Sequence, residues 1–363
     1  MRRRSVVLVA AMVTLLATAF AAGRASRPNQ ETTASAAVAG PTAAPSVRPS
    51  FPPVSRTTKR PVLGPVSRYA GAVDAAHRRG LRVWIETDLR KRWFAGPKSF
   101  DEGVRRVGEL ARRPGVVGVK VVDELGYSDG LRTQAEVSAF LHATATALRK
   151  TAPGKLILVD MIVPELGCMP GQQPPLRWAT ICAARARGAY PQLSLPAVDS
   201  YVASGDIDAL DLSTSILPDR TYTGWGSDEI TAQRLAWREV ERRGWGRQVV
   251  LHARRALAHA GSYQETTAAT DAELRTFVDV PLAAGAQAIS VWTWHQEYEG
   301  QVRRLLDPGL RPNALWLALR ERRAAGAVLF THFTPSSVEV GLDADLAALA
   351  SVFTDVFIAA GTG

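Results

Sequence analysis

The chain has 363 residues, 46% of them hydrophobic, and a formal net charge of +10. Residues 1–60 hold nine Lys or Arg against one acid, Glu31, so +8 of that charge sits in this stretch and +2 in the rest. A basic balance carried by a tail does not call for a nucleic-acid-binding domain, and no nucleic-acid partner is expected.

Arg2, Arg3 and Arg4 precede an uncharged apolar run from Val6 to Ala22, with alanines at 19 and 21. This is the pattern of a secretory signal peptide over residues 1–22. The run is also long enough to stay as an uncleaved membrane anchor. Residues 23–60 are rich in Pro, Ser, Thr and Ala and poor in large apolar side chains. Such a stretch cannot bury a core, so it reads as a disordered linker. Its basic charge could touch an anionic cell wall or lipid surface. The body, residues 61–363, is then expected to be secreted and monomeric. Cys168 and Cys182 are the two cysteines. In an exported chain they are expected to pair, with two separate buried thiols as the alternative.

The body alternates helix and strand. Val66–Arg79 has helical spacing and ends at Gly80, a residue suited to a helix C-terminus. Leu81–Asp88 follows as a strand and Phe100–Arg113 as a helix. Val116–Gly126 (VVGVKVVDELG) is an apolar run that suits a strand buried on both faces and ends in two carboxylates. Next come helix Leu131–Thr151, strand Lys155–Met161, helical turns over 176–203 and strand Ile207–Leu212. They are followed by helix Asp228–Arg243, strand Gln248–His252, helix Thr270–Ala284, strand Gln287–Thr293 and helix Asn313–Ala325. Two weaker strands, Ala327–Thr331 and Phe353–Ala359, flank helix Leu342–Ser351. The repeat predicts an α/β fold of parallel strands with helices outside. Six strands plus two make a (β/α)₈ barrel. Residues 326–363 would close it, pairing beside Gln287–Thr293 and Leu81–Asp88. A doubly wound open sheet would carry a glycine-rich phosphate turn after its first strand, and none is found.

Side chains alternate along a strand. Alternation puts Arg82, Trp84, Glu86 and Asp88 on one non-aliphatic face, and Lys120 with Glu124 on another. Leu158 and Asp160 share a face, as do His252 and Arg254, and Ser290, Trp292 and Trp294. Asp211 stands between Leu210 and Leu212. Acids and tryptophans thus recur at strand ends, where barrel enzymes place their chemistry. The candidate catalytic residues are Glu124, Asp211, Glu86 and Asp160. The candidate binding residues are Trp292, Trp294, His252, Arg254, Asp123 and Trp225. Taken singly, each has a plainer account, since Asp often caps a helix and Trp is often core. An acidic cup with aromatic walls suits glycosidic cleavage, which uses two carboxyl groups. His252, His295 and His332 are too scattered for a metal motif, so neither a metal nor a cofactor is expected.

On VVGVKVVDELG, AISVWTWHQEYEG and DPGLRPNALWLALRERR, the chain resembles the barrel glycoside hydrolases over roughly Pro61 to Arg323. The resemblance implies a glycosidase acting on a polysaccharide or cell-wall glycan. Matching Gln287–Thr293 to the family's eighth strand makes Val116–Gly126 its fourth. Glu124 then falls in the acid/base position, and the barrel is circularly permuted. The strand matched to the seventh reads VVLHAR, without the nucleophilic glutamate. The second carboxylate would be Asp211, Glu86 or Asp160. With none, the chain would be a non-catalytic carbohydrate-binding barrel.

Overall fold

The structure, a computed structural model, describes residues 66–127, 129–169 and 177–360. The chain divides into two units, Met1–Val62 and Leu63–Gly363. The expected signal peptide and linker lie outside the described residues.

Eight parallel strands close into a barrel: β1 (Arg82–Glu86), β2 (Val116–Lys120), β3 (Leu156–Ile162), β4 (Ala209–Ser213), β5 (Val250–Ala256), β6 (Ala288–Trp292), β7 (Leu329–Phe333) and β8 (Asp355–Ala359). They pair in chain order around the ring. β7 lies beside β6, and β8 fills the gap between β7 and β1. The C-terminal strands therefore remove both edges that six strands alone would leave bare. The order around the ring is that of the chain, as it would also be in a permuted barrel, and in chain order Glu124 follows the second strand.

The helices lie on the outside, and their ends follow local chemistry. Gln134–Thr151 begins at Thr133, whose hydroxyl accepts from the Glu136 amide while Glu136 accepts from the Thr133 amide. This is the reciprocal capping box. Asp228 and Asn313 cap Glu229–Arg243 and Ala314–Ala324 one way only, their side chains accepting from the Thr231 and Trp316 amides. The stretch expected as helix Thr270–Ala284 is helical but widens to a π turn at Arg275–Asp279.

Two apolar layers hold the barrel. Val83, Ile85, Val119, Val159, Leu210, Leu251 and Ile289 face outward onto the helices. Trp84, Leu158, Ala209, Ala288, Phe330 and Phe357 fill the inside. Trp84 needs room, and Gly118 supplies it, because a side chain there would run into the indole ring and the Leu156 carbonyl. That is the reason for glycine in the middle of VVGVK.

A small antiparallel sheet, absent from the predicted elements, accompanies the barrel. His295–Tyr298 and Gln301–Arg304 form a hairpin, which His259–Ala260 joins as a third antiparallel strand. Glu299 and Gly300 turn it with φ of 51° and 71°, the left-handed pair that two-residue hairpin turns favour. Cys168 and Cys182 form a disulfide with Cα atoms 5.6 Å apart.

Candidate functional site

The C-terminal mouth of the barrel is built around Lys120. Its side chain is fully buried and ends among three carboxylates. The Nζ atom lies 2.8 Å from Glu86, 3.0 Å from Asp123 and 3.2 Å from Asp160. Burial works against its charge, but the three acids outweigh burial and hold it well above the usual lysine range. Lys120 is therefore a fixed ammonium and a poor nucleophile.

Glu86, at the end of β1, also accepts from His332 Nδ1 at 2.9 Å. His332 reaches the mouth from β7. Burial raises the Glu86 pKa, but His332 and Lys120 overcome that and lower it to about 2. The result is a buried chain, Lys120–Glu86–His332, with His332 Nε2 left without a partner among the described residues.

Arg254, at the end of β5, makes the second centre. It donates to Asp160 at 2.9 Å and, more loosely, to Glu124 at 3.4 Å, and it stands 3.7 Å from Asp123. Burial opposes its charge, but the surrounding acids raise its pKa further. Burial pushes the Asp160 carboxyl up, against the pull of Arg254 and Lys120. The two outer acids are open to water, with 57% of the Asp123 side chain and 36% of the Glu124 side chain exposed. Glu124 has φ 50°, a left-handed conformation that a non-glycine residue adopts at a cost of about 1 kcal/mol. Beside it, Tyr127 stacks on Tyr190 with ring centroids 4.7 Å apart.

The structure thus brings together Glu86, Asp123, Glu124, Asp160 and Arg254 from the sequence candidates. It buries Asp211, His252, Trp225 and Trp294 away from the rim. His252 lies in the packed interior, edge-on to Trp84 at 6.2 Å and 4.4 Å from Phe330. Burial lowers its pKa. Asp211 is fully buried beside it in register, and neither carboxylate oxygen has a hydrogen-bond partner among the described residues. Trp225 is 6% exposed and packs against Tyr222.

Trp292 is half-buried against Tyr298, while Trp294 is buried outside the barrel, donating to Asp345 and packing on Trp316. β6 ends at Trp292, so alternation no longer governs residue 294. The same limit corrects Asp123. Alternation set it apart from Lys120, but β2 ends at Lys120 and the chain then turns Asp123 back onto it. Asp88 pairs with Arg90 and Lys91 near the start of helix Leu89–Phe94 and takes no part. Lys120, His332 and Tyr127 are mouth residues missing from the sequence candidates, although alternation had set Lys120 on an inner face. His332 had a usable signal. Alternation along AVLFTHF aligns it with Phe330, at the same strand end as the other charged groups.

No protein-family model matches the chain, and no curated protein matches it. Among solved structures it is similar to a candidate phosphonomutase from Burkholderia cenocepacia, at 16% identity and TM-score 0.41 over 80% of this chain and 92% of that one. It is similar to a 2,3-dimethylmalate lyase of the PEP mutase/isocitrate lyase superfamily, at 14% identity and TM-score 0.35 over 80% of each chain. It is also similar to the carboxyl transferase domain of Rhizobium etli pyruvate carboxylase, at 12% identity and TM-score 0.42 over 80% of this chain and 42% of that one. At these values the likeness concerns the fold alone.

The expected glycoside hydrolase does not stand, and with it fall the carbohydrate substrate and the carbohydrate-binding alternative. The mouth supplies the physical reason. A general acid needs a pKa near its working pH, whereas Glu86 is held at about 2. Asp160 is fully buried between two cations and Asp211 is sealed inside, so neither can reach a glycosidic oxygen. Two of the three tryptophans offered as sugar platforms are buried.

Proposed function

We propose that the mouth is an acid–base site for a small molecule bearing a carboxylate, with Arg254 as the docking group and Glu124 as the proton-transfer group. The observation that carries this reading is how differently Arg254 holds its acids. Asp160 is fixed at 2.9 Å, while the exposed Glu124 and Asp123 sit at 3.4 and 3.7 Å. Loose, hydrated ion pairs are worth little. A substrate carboxylate can therefore displace them and take the planar guanidinium through two hydrogen bonds. Glu124, once released, is a solvent-reached carboxylate beside the bound molecule, presented on a strained turn of the kind found at functional sites. Lys120, Glu86 and Asp160 then serve as a fixed electrostatic frame that needs no reorganisation during reaction.

Export belongs to the same reading. The Cys168–Cys182 disulfide is of a kind that persists in oxidising compartments, in keeping with the signal-peptide pattern at residues 1–22. The docking half is tested by saturation-transfer NMR with a panel of small carboxylic acids and their amides. Acids should bind and amides should not. Arg254→Lys should weaken the acids about tenfold by losing the bidentate geometry. Equal binding of acids and amides rejects the proposal.

A further inference from the structure

A second site lies at the opposite end of the barrel. A cavity of about 270 Å³ opens at the N-terminal face, where β1 and β8 begin. Arg79, Arg82 and Arg323 line it together with Gly80, Phe353 and Thr354, and no acidic side chain does. Arg79 follows the last turn of helix Val66–Arg78, and Arg323 lies in the last turn of helix Ala314–Ala324. Gly80, at φ 79°, borders open space, since a Cβ there would meet nothing within 4 Å.

The three guanidiniums are not equivalent. Arg82 donates to Asp355 at 2.7 Å and is more than half exposed beyond that contact. Asp355, fully buried, is further satisfied by the Trp84 indole N–H at 3.1 Å. Arg79 and Arg323 are exposed and make no ion pair among the described residues. The Thr354 hydroxyl already donates to the Leu329 carbonyl, so the arginines are the donors left over. A cation near a helix C-terminus has an ordinary use, because it offsets the helix dipole by roughly 0.3–1 kcal/mol. That use accounts for one helix end at a time. It does not require two helix ends and a strand end to aim arginines into one concavity without an acid between them.

We propose that this cavity is a phosphate-binding site. Guanidinium forks match the oxygens of a phosphate and can hold it from several directions. The volume admits a phosphate group with a small organic portion, which fits a soluble phosphate ester or the headgroup of an anionic lipid.

The test uses the full chain and the Arg79→Ala/Arg323→Ala double variant. Both residues are exposed and make no ion pair among the described residues, so the variant should fold and melt like the parent. Calorimetric titration with inorganic pyrophosphate should give saturable binding in the parent and at least about tenfold weaker binding in the double variant. An Arg79→Lys/Arg323→Lys variant should fall between them. Sedimentation with phosphatidylglycerol vesicles, against phosphatidylcholine, separates the two sources. A parallel loss of vesicle binding assigns the site to a lipid headgroup. Vesicle binding unchanged while pyrophosphate binding is lost assigns it to a soluble phosphate. The basic N-terminal segment is present in every sample and cancels in the comparison. Pyrophosphate and vesicle binding both unchanged in the double variant would overturn the proposal.

Discussion

The two ends of the barrel handle positive charge in opposite ways. At the C-terminal mouth, Lys120 and Arg254 are deeply placed, and each is met by three acids. At the N-terminal face, among the described residues, Arg79 and Arg323 stand unpaired around a cavity, and Arg82 alone of the three has an acid partner. A near-neutral body charge conceals this, since net charge says nothing about pairing. A buried, paired cation makes its surroundings dependent on it, because its removal strands several carboxylates in a dry site. An exposed, unpaired cation leaves the fold indifferent and is free for a ligand.

The largest expected effect follows from breaking the mouth. Lys120→Met keeps the volume but leaves Glu86 and Asp160 without their shared cation, and should lower stability by about 3–5 kcal/mol in urea unfolding. A loss under ~1 kcal/mol would mean that the acids find other partners, and that the network is not held by Lys120. Acid should undo the same network more gently. The folded pKa of Glu86, about 2, lies below its ordinary 4.5. Its contribution is therefore present above pH 4.5 and lost as pH falls toward 2. The loss should be at most about 3 kcal/mol. Glu86→Gln should flatten that part of the stability–pH curve, and an unchanged curve would remove Glu86 from the account.

The N-terminal face should respond more weakly. Arg82→Ala leaves the buried Asp355 with the Trp84 N–H alone, and should cost about 1–3 kcal/mol. Arg79→Ala should change stability by no more than about 0.5 kcal/mol, as expected for an exposed residue with no partner. If the two substitutions proved equal, the distinction between paired and unpaired arginines at this face would fail.

Much of the barrel was legible because its signals are periodic. Alternation along Leu81–Asp88, Val116–Gly126 and Gln248–His252, continued to Arg254, placed Trp84, Glu86, Lys120 and Arg254 inside. The bare edges of six strands pointed to Ala327–Thr331 and Phe353–Ala359 as closure. Legibility stopped where strands stop. Asp123 and Trp294 lie past the last extended residue, and the turn geometry that aims them is not periodic. The chemistry was less legible than the positions. Acids at strand ends read as a cup of free carboxylates, but whether a carboxylate is free depends on distances to Lys120 and Arg254. Those cations come from separate strands, and their ranges are set only when the barrel closes. His332 was passed over because Ala327–Thr331 ended one residue short of it.

The central claim is that Glu124 exchanges a proton with a small carboxylate-bearing molecule held by Arg254. The most direct measurement is solvent deuterium incorporation at C3 of small 2-oxo acids and at C2 of small 2-hydroxy acids, followed by proton NMR across the panel. The account predicts incorporation into at least one acid with the parent protein. It also predicts a loss of about a hundredfold or more with Glu124→Gln, while the melting temperature stays unchanged. Exchange that is equally fast in Glu124→Gln, or absent with the parent across the whole panel, would contradict it.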